Sequence, residues 1–238
     1  CTVTGTYIVP DQSAPTATIP TYTDVSCYGA CDGTATVSGT GGNPPYSYEW
    51  NDPGHQVTAT ATNLCAGSYD VTVSDQNGCI GTSNIIITEP PQLQVSSLNV
   101  TQPLCNGDCD GTAEAIVVGG TQPYSYQWSG GTPAGGLNPT SSLTTGLCSG
   151  MFTVNITDTN GCTIDTFITI NEPSFITLST SSTDEQCSGS SDGTATVNAS
   201  GGTGTYTYYW DANANNQTTQ TALNLTGGTD WVTVTHAD

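Results

Sequence analysis

Apolar side chains recur at every second position along much of the chain: Ala35 and Val37; Tyr46, Tyr48 and Trp50; Val71 and Val73; Ile85 and Ile87. A period of two sets one face of a strand into a core and the other into water. Gly41-Gly42, Asn43-Pro44-Pro45 and Asn77-Gly78 fall between these runs and supply the turns. No stretch carries the period of an amphipathic helix. About seven such strands in roughly 80 residues fit an immunoglobulin-like sandwich, with the Tyr-x-Tyr-x-Trp strand placing its large ring inside.

The pattern is written three times. CYGACDGTATVSGTGGNPPYSYEW at 27–50 returns as CNGDCDGTAEAIVVGGTQPYSYQW at 105–128 and as CSGSSDGTATVNASGGTGTYTYYW at 187–210. The leading cysteines, Cys27, Cys105 and Cys187, lie 78 and then 82 residues apart. LCAGSYDVTVSDQNGC at 64–79 and LCSGMFTVNITDTNGC at 147–162 follow the first two openings, each leading into a last strand that ends at Glu-Pro. Self-similarity at this period means stacked modules. The expected division is residues 11–90, 91–173 and 174–238 as three immunoglobulin-like repeats, preceded by a separate strand over residues 1–10.

Composition narrows the function. The 238 residues include no Lys or Arg and 20 Asp plus Glu, a net charge of −20. Nothing can neutralise phosphate, so nucleic acid and anionic membrane surfaces are excluded as partners, and a Walker-type site lacks its lysine. No apolar run approaches the roughly 18 residues of a spanning helix. Leu, Ile, Val and Phe total 40 residues, about 17%, below the roughly 20% of an ordinary core. That figure alone suggests disorder, but only 8% of residues are charged and the aromatics and cysteines recur in register. A core this lean needs its aromatics inside and covalent staples. Ten cysteines read as disulfides of an oxidising compartment, and their C-x3-C spacing without a nearby His argues against zinc. Met151 is the sole methionine, so the sequence is expected to be a processed product or an excerpt. The expected location is extracellular.

The motifs C-x3-C-D-G-T-A, G-G-x-x-P-Y-x-Y-x-W, L-C-x-G-x-Y/F-x-V-x-V/I-x-D-x-N-G-C and I-T-x-E-P together resemble the SprB-type repeat, found in very large surface adhesins of gliding bacteria. The resemblance covers nearly all of residues 27–238 and implies a secreted, cell-surface protein of stacked β modules. The third unit departs from it, with Ser191 and Thr226 or Gly227 where cysteines are expected. A chain without Lys or Arg also resists trypsin-like cleavage, which suits an exposed filament.

Four cysteines per unit allow three pairings. The third unit keeps its first cysteine but has lost the second and third together, as partners would be lost. The expected bonds are therefore Cys31–Cys65, Cys27–Cys79, Cys109–Cys148 and Cys105–Cys162, each contributing on the order of 4 kcal/mol.

The two ends complement each other. Cys1 and the segment Thr2, Val3, Thr4, Gly5, Thr6, Tyr7, Ile8, Val9 and Pro10 match the last strand that begins at Cys162. Residues 231–238 match the strand and turn that precede such a last strand, so the third sandwich is incomplete. Joining Asp238 to Cys1 of a second copy restores the spacing of Cys27 to Cys79 and the repeat period. The expected architecture is all-β: tandem immunoglobulin-like sandwiches, head to tail, with residues 2–10 as a donor strand completing the third domain of a neighbouring copy. The acceptor is Val232, Thr233, Val234 and Thr235, and Cys1 is expected to bond Cys187 of that neighbour. Donor-strand contact of this heterologous kind propagates as a filament. One period of a longer covalent chain gives the same fibre, and a lipid-modified Cys1 gives a tether instead.

The remaining chemistry is sparse. The two histidines, His55 and His236, have no recurring Ser or Asp companion, so no catalytic residue is expected. Asp32, Asp75, Asp110, Asp158 and Asp192 offer oxygen ligands for Ca²⁺, but D-G and D-x-N-G signal turns without a metal, and no cofactor is required. Asn99, Asn155, Asn198, Asn216 and Asn224 open N-x-S/T sequons, and Thr makes up about a fifth of the chain; covalent glycans are expected. The leading function is a structural subunit of an extracellular filament whose partners are further copies of itself. The alternative is a surface adhesin binding glycans through exposed aromatics, with Tyr7, Tyr22 and Tyr28 as candidates. Burial of the repeat tryptophans favours the fibre.

Overall fold

A computed structural model describes residues 1–8, 13–133 and 140–236. The described residues are all-β, with eighteen strands and no helix. The first repeat contains β1 (Thr16–Thr23), β2 (Gly33–Thr40), β3 (Ser47–Trp50), β4 (Thr60–Leu64), β5 (Gly67–Ser74) and β6 (Ile80–Ile87). They form two antiparallel sheets, ordered β1-β2-β4 and β3-β5-β6. The period-two positions of the sequence face inward: Ala35, Val37, Trp50, Val71, Val73 and Ile87 are buried, joined by Val25, Ala61, Leu64 and Tyr69. Each Val, Leu or Ile among them stabilises the fold by about 1.5–3 kcal/mol on leaving water. The β1–β2 register slips between Thr18 and Thr21, where Pro20 has no N–H to give to a ladder.

The second repeat contains β7 (Gln94–Thr101), β8 (Gly111–Val118), β9 (Ser125–Trp128), β10 (Thr132–Pro133), β11 (Ser141–Leu147), β12 (Gly150–Thr157) and β13 (Thr163–Ile170), in sheets ordered β10-β11-β8-β7 and β13-β12-β9. The third contains β14 (Thr177–Thr183), β15 (Gly193–Ser200), β16 (Tyr206–Trp210), β17 (Thr221–Leu225) and β18 (Val232–His236), ordered β14-β15-β17 and β16-β18. This is the immunoglobulin-like sandwich expected from the alternation. The strand β4 and its counterparts β11 and β17 fall in stretches that carry no alternation in the sequence.

By compactness the chain divides into two units. One comprises Cys1–Gln94 with Val117–Ser125 and Ile156–Ile164; the other comprises Val95–Ile116, Tyr126–Asn155 and Asp165–Asp238. The first unit holds the core around Trp50. The second holds two clusters, one on Ala113, Leu147, Ile168 and Ile170, the other on Val197, Trp210, Ala214, Ala222 and Leu225.

The disulfides correct one expectation. Cys31 bonds Cys65 and Cys109 bonds Cys148. Cys27, however, is bonded not to Cys79 but to Cys162, 135 residues away, with Cα atoms 5.7 Å apart, within the normal disulfide range. The expected Cys27–Cys79 and Cys105–Cys162 bonds are thereby overturned. The cause lies in the first unit, where the D-x-N-G-C turn after β12 docks on the start of the first repeat's C-x3-C loop. Asn160 Nδ2 donates to the Ser26 carbonyl at 2.9 Å, beside Cys27. The first cysteine of one repeat thus meets the fourth cysteine of the next.

Candidate functional site

Two features set the last strand of a repeat apart: the cysteine-bearing turn that precedes it and the sheet edge that receives it. In the first repeat, Asp75 is buried at the end of β5. Its Oδ1 accepts the N–H of Asn77 and of Cys79, and Oδ2 accepts that of Asn43, all at 2.9 Å. The Asn43 N–H, reinforced by those of Cys79, Asn77 and Gly78, holds this carboxyl below its usual range in spite of burial. Asp158 repeats the clamp, accepting from Asn160 and Cys162 through Oδ1 at 2.9 Å and from Thr121 through Oδ2 at 2.8 Å. The turn aspartate therefore fixes the backbone from which the fourth cysteine projects.

In the third repeat His236 takes this place. It ends β18 opposite Tyr206 and is buried. The second glycine of each Gly-Gly turn approaches the clamp residue at positive φ: a Cβ on Gly42 or Gly120 would meet Asp75 or Asp158 Oδ2 at 2.8 Å, and one on Gly202 would meet the His236 ring at 3.3 Å. His236 Nε2 lies 3.2 Å from Cys105 Sγ. Both border a cavity of about 380 Å³ lined also by Phe175, Ile176 and Val234.

The sheet edges differ in step with this. β5 pairs with β3 on one side and β6 on the other, and β12 likewise lies between β9 and β13. β18, which contains the expected acceptor residues Val232, Thr233, Val234 and Thr235, pairs with β16 alone among the described residues. Residues 1–8 carry no strand pairing and lie open to solvent, with Val3 96%, Tyr7 86% and Ile8 85% exposed. Val9 and Pro10 of the expected donor strand lie outside the described residues, as does Asp238. Cys1 and Cys187 are exposed thiols, and Cys79 is a half-buried one.

Asp32 accepts from the hydroxyl and the N–H of Ser26, which hold its pKa below the usual value. Asp192 does the same with the Ser190 hydroxyl and the Gln186 N–H. Asp110 accepts the Leu104 N–H at 3.3 Å. Among the described residues no three His, Cys, Asp or Glu side chains converge as a metal site. Of the sequon asparagines, Asn99, Asn198, Asn216 and Asn224 are exposed, whereas Asn155 is half-buried and its amide donates to Asp165 at 2.7 Å. Trp50 and Trp210 are buried and Trp128 packs against its core cluster; Tyr7, Tyr22 and Tyr28 are exposed. His55 is exposed in a turn at positive φ. Sequence reasoning missed the contact between His236 and Cys105, although aligning His236 with Asp75 and Asp158 marks it as the clamp position.

The SprB repeat matches this chain at residues 19–55, 97–133 and 179–215. Each match opens in the first strand of a repeat and ends just beyond the Tyr-x-Tyr-x-Trp strand. No curated protein matches the sequence. Among solved structures, the N-terminal eight Ig domains of Down Syndrome Cell Adhesion Molecule isoform 1.30.30 are similar at 15% identity, covering 84% of this chain and 29% of that one, with a TM-score of 0.44. The full ectodomain (Ig1–Ig3) of mouse nectin-like molecule 4 follows at 10% identity, 67% and 64% coverage and a TM-score of 0.29. Domains 4 and 5 of the S-layer protein SbsC show 14% identity, 68% and 99% coverage and a TM-score of 0.26. This chain spans less than two thirds of the length of the first two.

Proposed function

The chain carries three tandem SprB repeats, and from that premise we propose that it is a structural subunit of an extracellular filament, extended by strand donation between successive copies. The observation that carries this reading is the two-stranded β16-β18 sheet, where the other repeats have three strands. In the first repeat the last strand pairs as Ser74↔Ile80 and Val73↔Gly81. The same register sets Thr2 opposite Thr235 and Val3 opposite Val234 of the receiving copy. Val3, Gly5 and Tyr7 then face the core, at the positions taken by Gly81, Ser83 and Ile85. Val3 and the Tyr7 ring would each contribute roughly 1.5–3 kcal/mol by leaving water. The contact is heterologous, so it repeats without closing. The outward threonines and exposed sequon asparagines carry glycans in this reading.

The glycan-binding alternative draws less support, because the tryptophans that recur in every repeat belong to the cores and leave no repeated stacking row.

Negative-stain microscopy of the purified chain tests the proposal. Filaments are expected from the full chain and none from a variant lacking residues 1–8, with the free 1–10 peptide capping growth. Filaments that form equally well without that segment refute strand donation. Size that survives reduction and denaturation together identifies one continuous polypeptide.

A further inference from the structure

The Cys27–Cys162 bond carries a rule. It joins the first cysteine of one repeat to the fourth cysteine of the following repeat, the residue directly before that repeat's last strand. We infer that the rule runs on through the filament, so that each joint holds two disulfides: Cys105 with Cys1 of the next copy, and Cys187 with Cys79 of the next copy. This rests on the filament reading above and replaces the Cys187–Cys1 bond expected from spacing alone.

The assignment follows repeat by repeat. The repeat after the second is the third, whose last strand is residues 2–9 of the next copy; the cysteine directly before that strand is Cys1. The repeat after the third is the next copy's first, and its fourth cysteine is Cys79. Cys105 already occupies the position this demands. It contacts His236, which stands where Asp158 stands in the turn that presents Cys162 to Cys27. A donor strand registered on β18 delivers its leading cysteine to the end of that strand, beside the cavity that Cys105 and His236 border. At the other partner, Cys79 is held by Asp75 through the same clamp, at the same 2.9 Å, that holds Cys162 by Asp158. With Cys31–Cys65 and Cys109–Cys148, the rule employs all ten cysteines of the chain.

Each bond forms by exchange with a disulfide oxidant, here oxidised glutathione. One cysteine thiolate attacks it, making a mixed disulfide and releasing one glutathione thiolate; the second cysteine thiolate displaces the other. The two electrons and the two thiol protons leave with two reduced glutathiones. His236 Nε2 lies 3.2 Å from the Cys105 sulfur, and the thiolate is the nucleophile.

The test uses the full 238-residue chain oxidised with glutathione, with peptide mapping under non-reducing conditions. Trypsin has no site in it, so Glu-C and chymotrypsin make the fragments. The expected products are a ladder in SDS that collapses on reduction and cross-linked peptides joining Cys105 to Cys1 and Cys187 to Cys79. The C105S/C187S variant is expected to form filaments that fall to the 24.4 kDa chain in SDS without reductant. Peptides joining Cys187 to Cys1, or a ladder that persists in the double variant, overturn the pairing. Filaments by microscopy without any SDS ladder also overturn it, while leaving strand donation standing. Neither filaments nor ladder, in material where Cys27–Cys162 has formed, removes both.

Discussion

Serine substitution at Cys27 and Cys162, singly and together, measures the bridge directly. The bond closes 135 residues, but the Cys31–Cys65 and Cys109–Cys148 bonds lie inside that loop and short-circuit 34 and 39 residues of it. The effective loop is roughly 60 residues, for which the lost entropy of the unfolded chain corresponds to about 4 kcal/mol. With a urea slope of about 2.5 kcal/mol per molar, the unfolding midpoint falls by about 1.5 M. Tryptophan fluorescence reads the transition, since Trp50 sits in the core of the same unit. Partnership has a signature beyond magnitude. If Cys27 and Cys162 are bonded to each other, C27S, C162S and the double variant lose the same stability, because each removes one bridge. If their partners are Cys79 and Cys105, each single change breaks a different bridge and the double loss is about twice as large. An additive double variant refutes the bond and the repeat-to-repeat rule built on it.

Trp50→Ala should cost about 3–5 kcal/mol, since the ring is buried and its indole N–H donates to the Thr58 carbonyl at 3.0 Å; a midpoint in urea that barely moves would contradict that packing. Acid should destabilise the fold. Asp32, Asp75 and Asp192 are held below the usual carboxyl value by donated hydrogen bonds, and at Asp52 burial pushes upward but the Gln56 N–H, the Gln56 amide and the Gly54 N–H outweigh it. A carboxyl with a depressed folded pKa stabilises above its unfolded value and loses that contribution as pH falls through the folded one, so the melting temperature should drop progressively below about pH 4; a flat profile from pH 6 to pH 2 counts against the clamps. Intact mass of natural material should exceed the 24.4 kDa polypeptide through carbohydrate on outward Thr, Ser or Asn, and a bare mass ends the glycan reading.

Where burial repeats along a strand, the sequence was readable. Ala35 and Val37, Val71 and Val73, and the closing Trp50 announce their strands because a half-buried sheet forces period two. The strands β4 and β17 carry no such signal: in Thr60–Leu64 and Thr221–Leu225 the inward side chains are three positions apart, as at Ala61 and Leu64, so no alternation survives. The cysteines divide the same way. Paired loss in the third repeat speaks for the second and third positions only. It leaves the first and fourth equally compatible with partners inside a repeat or one repeat on, and counting pairings within one unit gives the nearer choice. The docking of Asn160 on Ser26, which selects the farther one, is a side-chain contact with no periodic signature. His236 has no catalytic companions in the sequence; its meaning lies in its register with Asp75 and Asp158.

The Cys27–Cys162 bond also has a mechanical consequence. A pull applied at the two ends meets, between these residues, a covalent shortcut in parallel with 135 residues of chain. Sandwiches inside that span can lose their packing without yielding length, because about 450 Å of contour stays locked, roughly 200 Å of it behind this bond alone and the rest also behind Cys31–Cys65 and Cys109–Cys148. Under oxidising conditions this span yields little length; a reductant releases all of it only when the three bonds have opened. Stretching single molecules with and without reductant would record that release as a difference in maximum extension.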